Sequence, residues 1–391
     1  MKQDAVLTPP FETVQQRALV VAVGGSVLLA IGAVVAQAEF FQSYLYAYVF
    51  WMALTLGCLG ILILHHLVSG SWGHIVQRYA ESAARTLPYM AVLFVPILLG
   101  MHHLYPWTNH EVAAANHVVE KKLGYLNVPF FLVRQVLYFG FWIFVALWLS
   151  KKSVEQDATA DPHLTRKMRV FSGPSMVFFV LTVTFASVDW MMSLEPEWFS
   201  TMYGVGRIVG AGLTALAFCI VLVRLLSKYQ PLLEILNTRH VHHLGNLLMA
   251  FTILWAYIGF SEFLIIWSGN LPDDNMWHLR RMNPEWSVFA AILIVGHFAV
   301  PLALLLSRQL KRHIEPLARI AVGILVMRLI DMYWLIYPAF NNHQLKFHWL
   351  SIVAPIALGG IWVWLFVNHL KRQPLLPLHD PRFHKGMAEQ H

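Results

Sequence analysis

The sequence predicts an all-α integral membrane protein of ten transmembrane helices, with two four-helix bundles (spans 2–5 and 6–9) and peripheral first and last helices. Three observations carry that fold class. Hydrophobic residues make up 58% and charged residues 13% of the 391 positions, against roughly 25% charged in an ordinary soluble domain. Apolar runs near 20 residues recur along the chain, each long enough as a helix to cross a hydrocarbon core of ~30 Å. The Lys and Arg residues fall mainly in the short segments between these runs, with a strong sidedness, as membrane topology requires. A soluble domain, a disordered chain and a β-barrel are thereby excluded. The net charge of +7 does not imply nucleic acid, because the basic residues gather in inter-helix loops rather than on one soluble face.

In chain order, the first run, 17–38, ends in Ala36-Gln37-Ala38, which mimics a signal-peptidase site. Asp4 and Glu12 ahead of it, and the length of its apolar region, favour a retained helix. Runs 44–66 and 87–104 close on His65-His66 and on His102-His103. Runs 129–149 and 170–192 flank the loop 150–169, whose charges suit a solvated segment. Run 200–226 contains Gly206 and Gly210, a GxxxG step that lets a neighbouring helix approach. Runs 243–267, 286–306, 316–336 and 346–368 complete the set. Pro96, Pro174, Pro301 and Pro355 are candidate kinks. The expected organisation is an N-terminal segment and first helix (1–43), a first bundle (44–192), a second (200–336), and a last helix with its tail (337–391).

Placing the N-terminus in the cytoplasm puts 20 of the 28 basic residues on that side, five on the other and three within spans. Both termini are then cytoplasmic. The outer loops 105–128 and 268–285 carry Trp107, His110, His117, Asp273, Asp274 and Trp277, and each ends in Asn and Pro just before the next span. Val188-Asp189-Trp190-Met191 and Ile330-Asp331-Met332-Tyr333 echo one another near the outer ends of spans 5 and 9, which hints at duplicated four-helix units.

Charges inside spans are costly and mark functional candidates. Arg134, Asp189, Arg207, Glu262, Arg328 and Asp331 all fall in the outer part of their spans, suggesting a polar cluster or proton path open to the periplasm. Buried ion pairing, with Asp189 partnering Arg207, is the alternative. Glu195 and Glu197 follow Asp189 closely, either as an outward proton ladder or as a solvated turn set by Pro196. His102 and His103 lie level with the charges and suit a quinone pocket or an interfacial anchor. His297 is near mid-membrane, a hydrogen-bonded core histidine with a relay role open to it. A b-haem needs facing imidazoles at one depth. Here only His65 or His66 with His242 or His243 qualify, and all four stand at span ends. Two cysteines, Cys58 and Cys219, without any CxxC or CxxCH, exclude an iron–sulfur cluster or c-type haem held by a standard motif.

The run from Ser187 through Asp189, Glu195-Pro196-Glu197-Trp198 and Tyr203 to Gly204 resembles the smaller polysulfide-reductase-type membrane subunit of alternative complex III. The ten-span layout is similar along nearly the whole chain, and the motif covers spans 5 and 6. That resemblance implies a bacterial plasma-membrane complex, respiratory or photosynthetic, that oxidises menaquinol or ubiquinol and reduces a cytochrome c or similar acceptor. It implies a larger related ten-helix subunit, an iron–sulfur subunit and c-type haem subunits as partners, with a terminal oxidase as a further one. This chain would bind no cofactor of its own, and Asp189 would belong to a proton path. A secondary transporter and a di-haem cytochrome b-like subunit are the competing classes. The absorbance spectrum of the separately expressed, folded chain is expected to lack haem bands, and their appearance would overturn the cofactor-free reading.

Overall fold

The computed structural model describes residues 9–109, 111, 114, 116–341, 345–377 and 380, without the side chains of Ser71 and Asp273. Lys2, Asp4, His110, Arg382, Lys385 and the Asp273 side chain therefore lie outside the described residues. No strand occurs among the described residues. Among the described residues ten helical spans are long and apolar enough to cross a membrane: Phe11–Val35, Gln37–Val68, Trp72–Leu99, Val128–Thr159, Pro162–Leu194, Tyr203–Leu226, Thr238–Gly269, Pro284–Leu306, Ile314–Ala339 and Leu350–Leu370. They are numbered 1 to 10 below.

Span 3 begins at Trp72, fifteen residues before the expected 87. Its backbone is broken into Ser71–Ala84, Leu87–Leu93 and Val95–Leu99. Pro88 and Pro96 stand in the first turns of the second and third segments, where the missing N–H and the ring's bulk end the preceding hydrogen-bond ladder. The region 150–169 is mostly helical rather than a loop. Span 4 runs to Thr159 and span 5 starts at Pro162, because Lys, Glu, Gln and Ala propagate a helix beyond its apolar core. The turn between them uses a left-handed Ala160 (φ 52°) and Asp161, whose carboxylate accepts from His163 N–H.

Both long outer loops end alike for a local reason. Asn127 accepts from Phe130 N–H at 2.9 Å and Asn283 from Trp286 N–H at 3.0 Å, and a proline occupies the first turn behind each cap. Such caps satisfy N–H groups that no helix carbonyl can reach, and proline there gives up nothing.

Span 2 lies at the centre. It packs against spans 1, 3, 5, 6, 9 and 10, while span 6 packs against 2, 5, 7 and 9. Small residues set these approaches. A Cβ on Gly57 would stand 2.0 Å from the Ala211 carbonyl oxygen, so spans 2 and 6 meet backbone to backbone. Spans 1 and 10 meet through Gly25 against Ala357 and Gly360 against Ala22. Span 10 is further tied to span 2 by Trp362 donating to Thr55 (2.8 Å) and Trp51 donating to the Pro355 carbonyl (2.9 Å). Span 7 buries least within the chain, and spans 1 and 8 come next, equally. Gly57→Ala is expected to destabilise the protein by about 1–3 kcal/mol through overpacking. Gly24→Ala, where nothing lies within 4 Å, should be neutral; thermal unfolding in detergent compares the two.

Candidate functional site

Asp189 is the penultimate residue of the helix Pro162–Trp190 and is fully buried. Its partner is Arg134 of span 4, not Arg207. Arg134 Nε and Nη2 donate to the two carboxylate oxygens at 2.9 Å each. This fork geometry satisfies both charges at once. The expected Asp189–Arg207 pair is absent because Asp189 faces span 4, where Gln135 (3.3 Å) and the Tyr138 hydroxyl (3.1 Å) also donate to Oδ2. Arg134 gives a further bond to the Tyr125 carbonyl and lies 3.9 Å from the centre of the Tyr125 ring. The network extends through Trp190, whose indole N–H donates to Gln135 Oε1 at 2.7 Å.

Arg328 and Asp331 pair on one face of span 9, as their i, i+3 spacing allows. Arg328 Nε also donates to Thr214 of span 6 at 3.1 Å. Gly210 makes room for this guanidinium, since a Cβ there would lie 2.5 Å from Arg328 Nη2. The GxxxG step thus admits a side chain rather than a helix backbone at this position. Glu262 accepts from the Ser200 hydroxyl. Arg207 lies 5.0 Å from the Tyr203 ring centre, and its Nε and Nη1 are buried without an acceptor.

Glu195 is buried, not part of a solvated turn. Its two oxygens accept from Arg280 Nη1 and Arg281 Nη2, each at 2.8 Å. Both arginines come from the short helix Pro272–Arg281 in the second long loop. Burial lowers the Arg281 pKa while Glu195 opposes that shift. Glu197 accepts from Asn116 at 2.5 Å. His102 and His103 are exposed and stand apart from the charged pairs; His103 stacks on Phe41 at 5.2 Å.

His297 is buried with its ring 4.0 Å, centre to centre, from Trp255, and neither ring nitrogen has a hydrogen-bond partner. The expected hydrogen bond is therefore missing. The residue lies in a π-helical stretch, Leu293–Ala299, with Val300 N–H bonding to the Val295 carbonyl. Pro301 cannot donate to the His297 carbonyl and crowds it, which accounts for the widened turn.

A second charged network lies at the opposite end of the spans. Arg78 and Glu81 are fully buried. Arg78 bonds Glu81 at 2.6 Å, Ser153 at 2.9 Å and also Asp157, while Gln77 donates to Glu81 and Ser153 at 2.9 Å each. Hydropathy alone does not reveal it, because Arg78 falls between the apolar runs 44–66 and 87–104. The signal was the i, i+3 pair Arg78/Glu81 among the small or apolar Tyr79, Ala80, Ala83 and Ala84, facing Ser153 and Asp157 one turn apart.

No protein-family model matches the chain, and no curated protein aligns with it significantly. Beside the Glu195 cluster, burial pushes the His278 imidazole down to about 4, with Arg281 adding to the shift. The folded pKa is thus below the ordinary value of about 6.5, so full stability is present above pH ~6.5 and is lost as pH falls towards 4. In unfolding measurements across that window, His278→Gln should lose less stability than the parent chain; equal slopes would contradict the shift.

Proposed function

We propose that the chain is a cofactor-free membrane subunit of a bacterial quinol:cytochrome c oxidoreductase of the alternative complex III kind, supporting assembly and moving protons. In this reading spans 2–5 and 6–9 are its two four-helix bundles. Both termini are cytoplasmic and the Asp189 end faces the periplasm, where the iron–sulfur and c-type haem subunits dock. The larger related ten-helix subunit is its membrane neighbour.

The observation that supports proton movement is the presence of buried charged networks at both ends of one group of spans. Arg134, Gln135, Tyr138 and Asp189 form one, and Gln77, Arg78, Glu81, Ser153 and Asp157 the other. Quinol oxidation releases protons, and carboxylates with hydroxyl and amide neighbours are groups that can take and pass them. One face of span 4 contributes to both networks, and Trp142, donating to Thr182 at 2.9 Å, lies between. From Trp142 to Ser153 the helix rises ~16 Å at 1.5 Å per residue, a gap that water has to bridge if a proton crosses.

A transporter would place its substrate near the midplane at broken helices. Spans 3 and 8 are interrupted, yet the charged pairs of the Asp189 end lie on spans 4, 5 and 9.

The proton reading and a static scaffold separate by experiment. Asp189→Asn leaves Arg134 unpaired, which can cost ~3–5 kcal/mol, whereas Tyr138→Phe removes one hydroxyl from Asp189 and keeps the ion pair. In vesicles containing the assembled complex, Tyr138→Phe is expected to lower the ratio of protons moved to electrons transferred while subunit content holds. A normal ratio in fully assembled Tyr138→Phe and Asp189→Asn complexes would remove the relay.

A further inference from the structure

We propose that a chamber bordered by spans 2, 5, 6 and 9 is a binding site for a small monovalent anion, held by Arg207. The inference is independent of the quinol-oxidation reading. The chamber has a volume of about 40 Å³, room for a single small ion, and a mostly apolar wall that includes Met52, Val183, Trp190 and Met332. Its charged lining is two guanidinium groups, Arg207 and Arg328.

Among the described arginines at the Asp189 end of the spans, charge accounting singles out the half-buried Arg207. Arg134 is neutralised by Asp189, Arg328 by Asp331, and Arg280 and Arg281 share Glu195. Among the described residues no carboxylate lies within 4.0 Å of Arg207. Its Nε and Nη1 have lost contact with water and gained no acceptor. A guanidinium does not escape by deprotonating, and buried donors are almost always hydrogen-bonded. The Tyr203 ring, 5.0 Å away, draws the cation electrostatically but offers no in-plane acceptor to the two N–H groups. Ser187, the hydroxyl on the wall, donates to the Val183 carbonyl at 2.7 Å and is not within hydrogen-bond reach of Arg207 Nε or Nη1. An anion in the chamber supplies what is missing: acceptor capacity for Arg207 and a negative charge beside two cations that face only one carboxylate, Asp331.

Gly210 supports this reading from a second direction. It allows the Arg328 guanidinium to lie flat against span 6, which brings a second positive group to the same wall. The ligand chemistry has two sources, a halide from water or the carboxylate head of a fatty acid whose tail stays in the bilayer, and either head is small enough for the chamber.

The test uses the full chain, purified into nanodiscs of zwitterionic lipid, with chloride replaced by gluconate at constant ionic strength. A halide site predicts a saturable rise in Tm with chloride, on the order of a few degrees. A lipid-derived carboxylate predicts no response to chloride, a saturable rise with oleate, and a fatty acid recovered from the purified protein. Either response should vanish in Arg207→Gln and persist in part in Arg207→Lys. Ala53→Leu, which fills the chamber from span 2 and keeps the Arg207 side chain, should abolish it as well and serves if Arg207→Gln does not fold. No response to chloride or oleate, or the same response in the variants as in the parent chain, would overturn the proposal.

Discussion

A charge enclosed by apolar helices has to be neutralised where it sits, and this requirement decides which spans meet and in what register. Arg134 can be buried only because Asp189 of the next span is within reach of both its forked N–H groups. Arg281 clamps the Pro272–Arg281 helix onto Glu195 and, through the Leu335 carbonyl at 2.7 Å, onto span 9. Arg78 does the same for spans 3 and 4 at the far end. Buried pairs of this kind add little net stability over well-packed apolar groups, but breaking one is expensive. Their consequence is registry: a slip of one residue in span 4 or span 5 would strand both members of the Arg134–Asp189 pair.

Glycine and alanine complete the same logic from the apolar side. Spans 2 and 6 approach until Gly57 lies on the Ala211 carbonyl, and Gly210 leaves the space that the Arg328 guanidinium occupies. Close helix packing and buried charge are therefore coupled in span 6, where the residues that let backbones touch also set how deep a cation can lie. The chamber beside Arg207 is what remains where that packing is incomplete.

The ten spans were legible in the sequence because a hydrophobic run and a caesura of polar residues leave a strong one-dimensional signal. Where they end was less so. Span 3 carries its own amphipathic first half, whose Arg78 and Glu81 read as loop charges until a partner helix with Ser153 and Asp157 is placed against them. The Arg328–Asp331 pair was legible from i, i+3 spacing on one helix. The partner of Asp189 was not, since Arg134 and Arg207 have similar depth and only the rotation of span 5 chooses between them. The echo between Asp189 and Asp331 likewise hides a difference: one pairs across helices and the other within its own. Nothing in the spacing of Glu195 and Arg281, 86 residues apart, could have joined them.

For Asp189 to carry protons, its carboxylate must spend part of each turnover protonated and released from Arg134. Redox-induced infrared difference spectra of the assembled complex report that state directly, because a protonated carboxyl has a C=O stretch distinct from that of an ionised carboxylate. The predicted result is a protonated-carboxyl band that rises and falls with quinol oxidation and is lost in Asp189→Asn. A difference spectrum without such a band, or one unchanged in that variant, would contradict proton carriage at Asp189 and leave the pair as a fastening between spans 4 and 5.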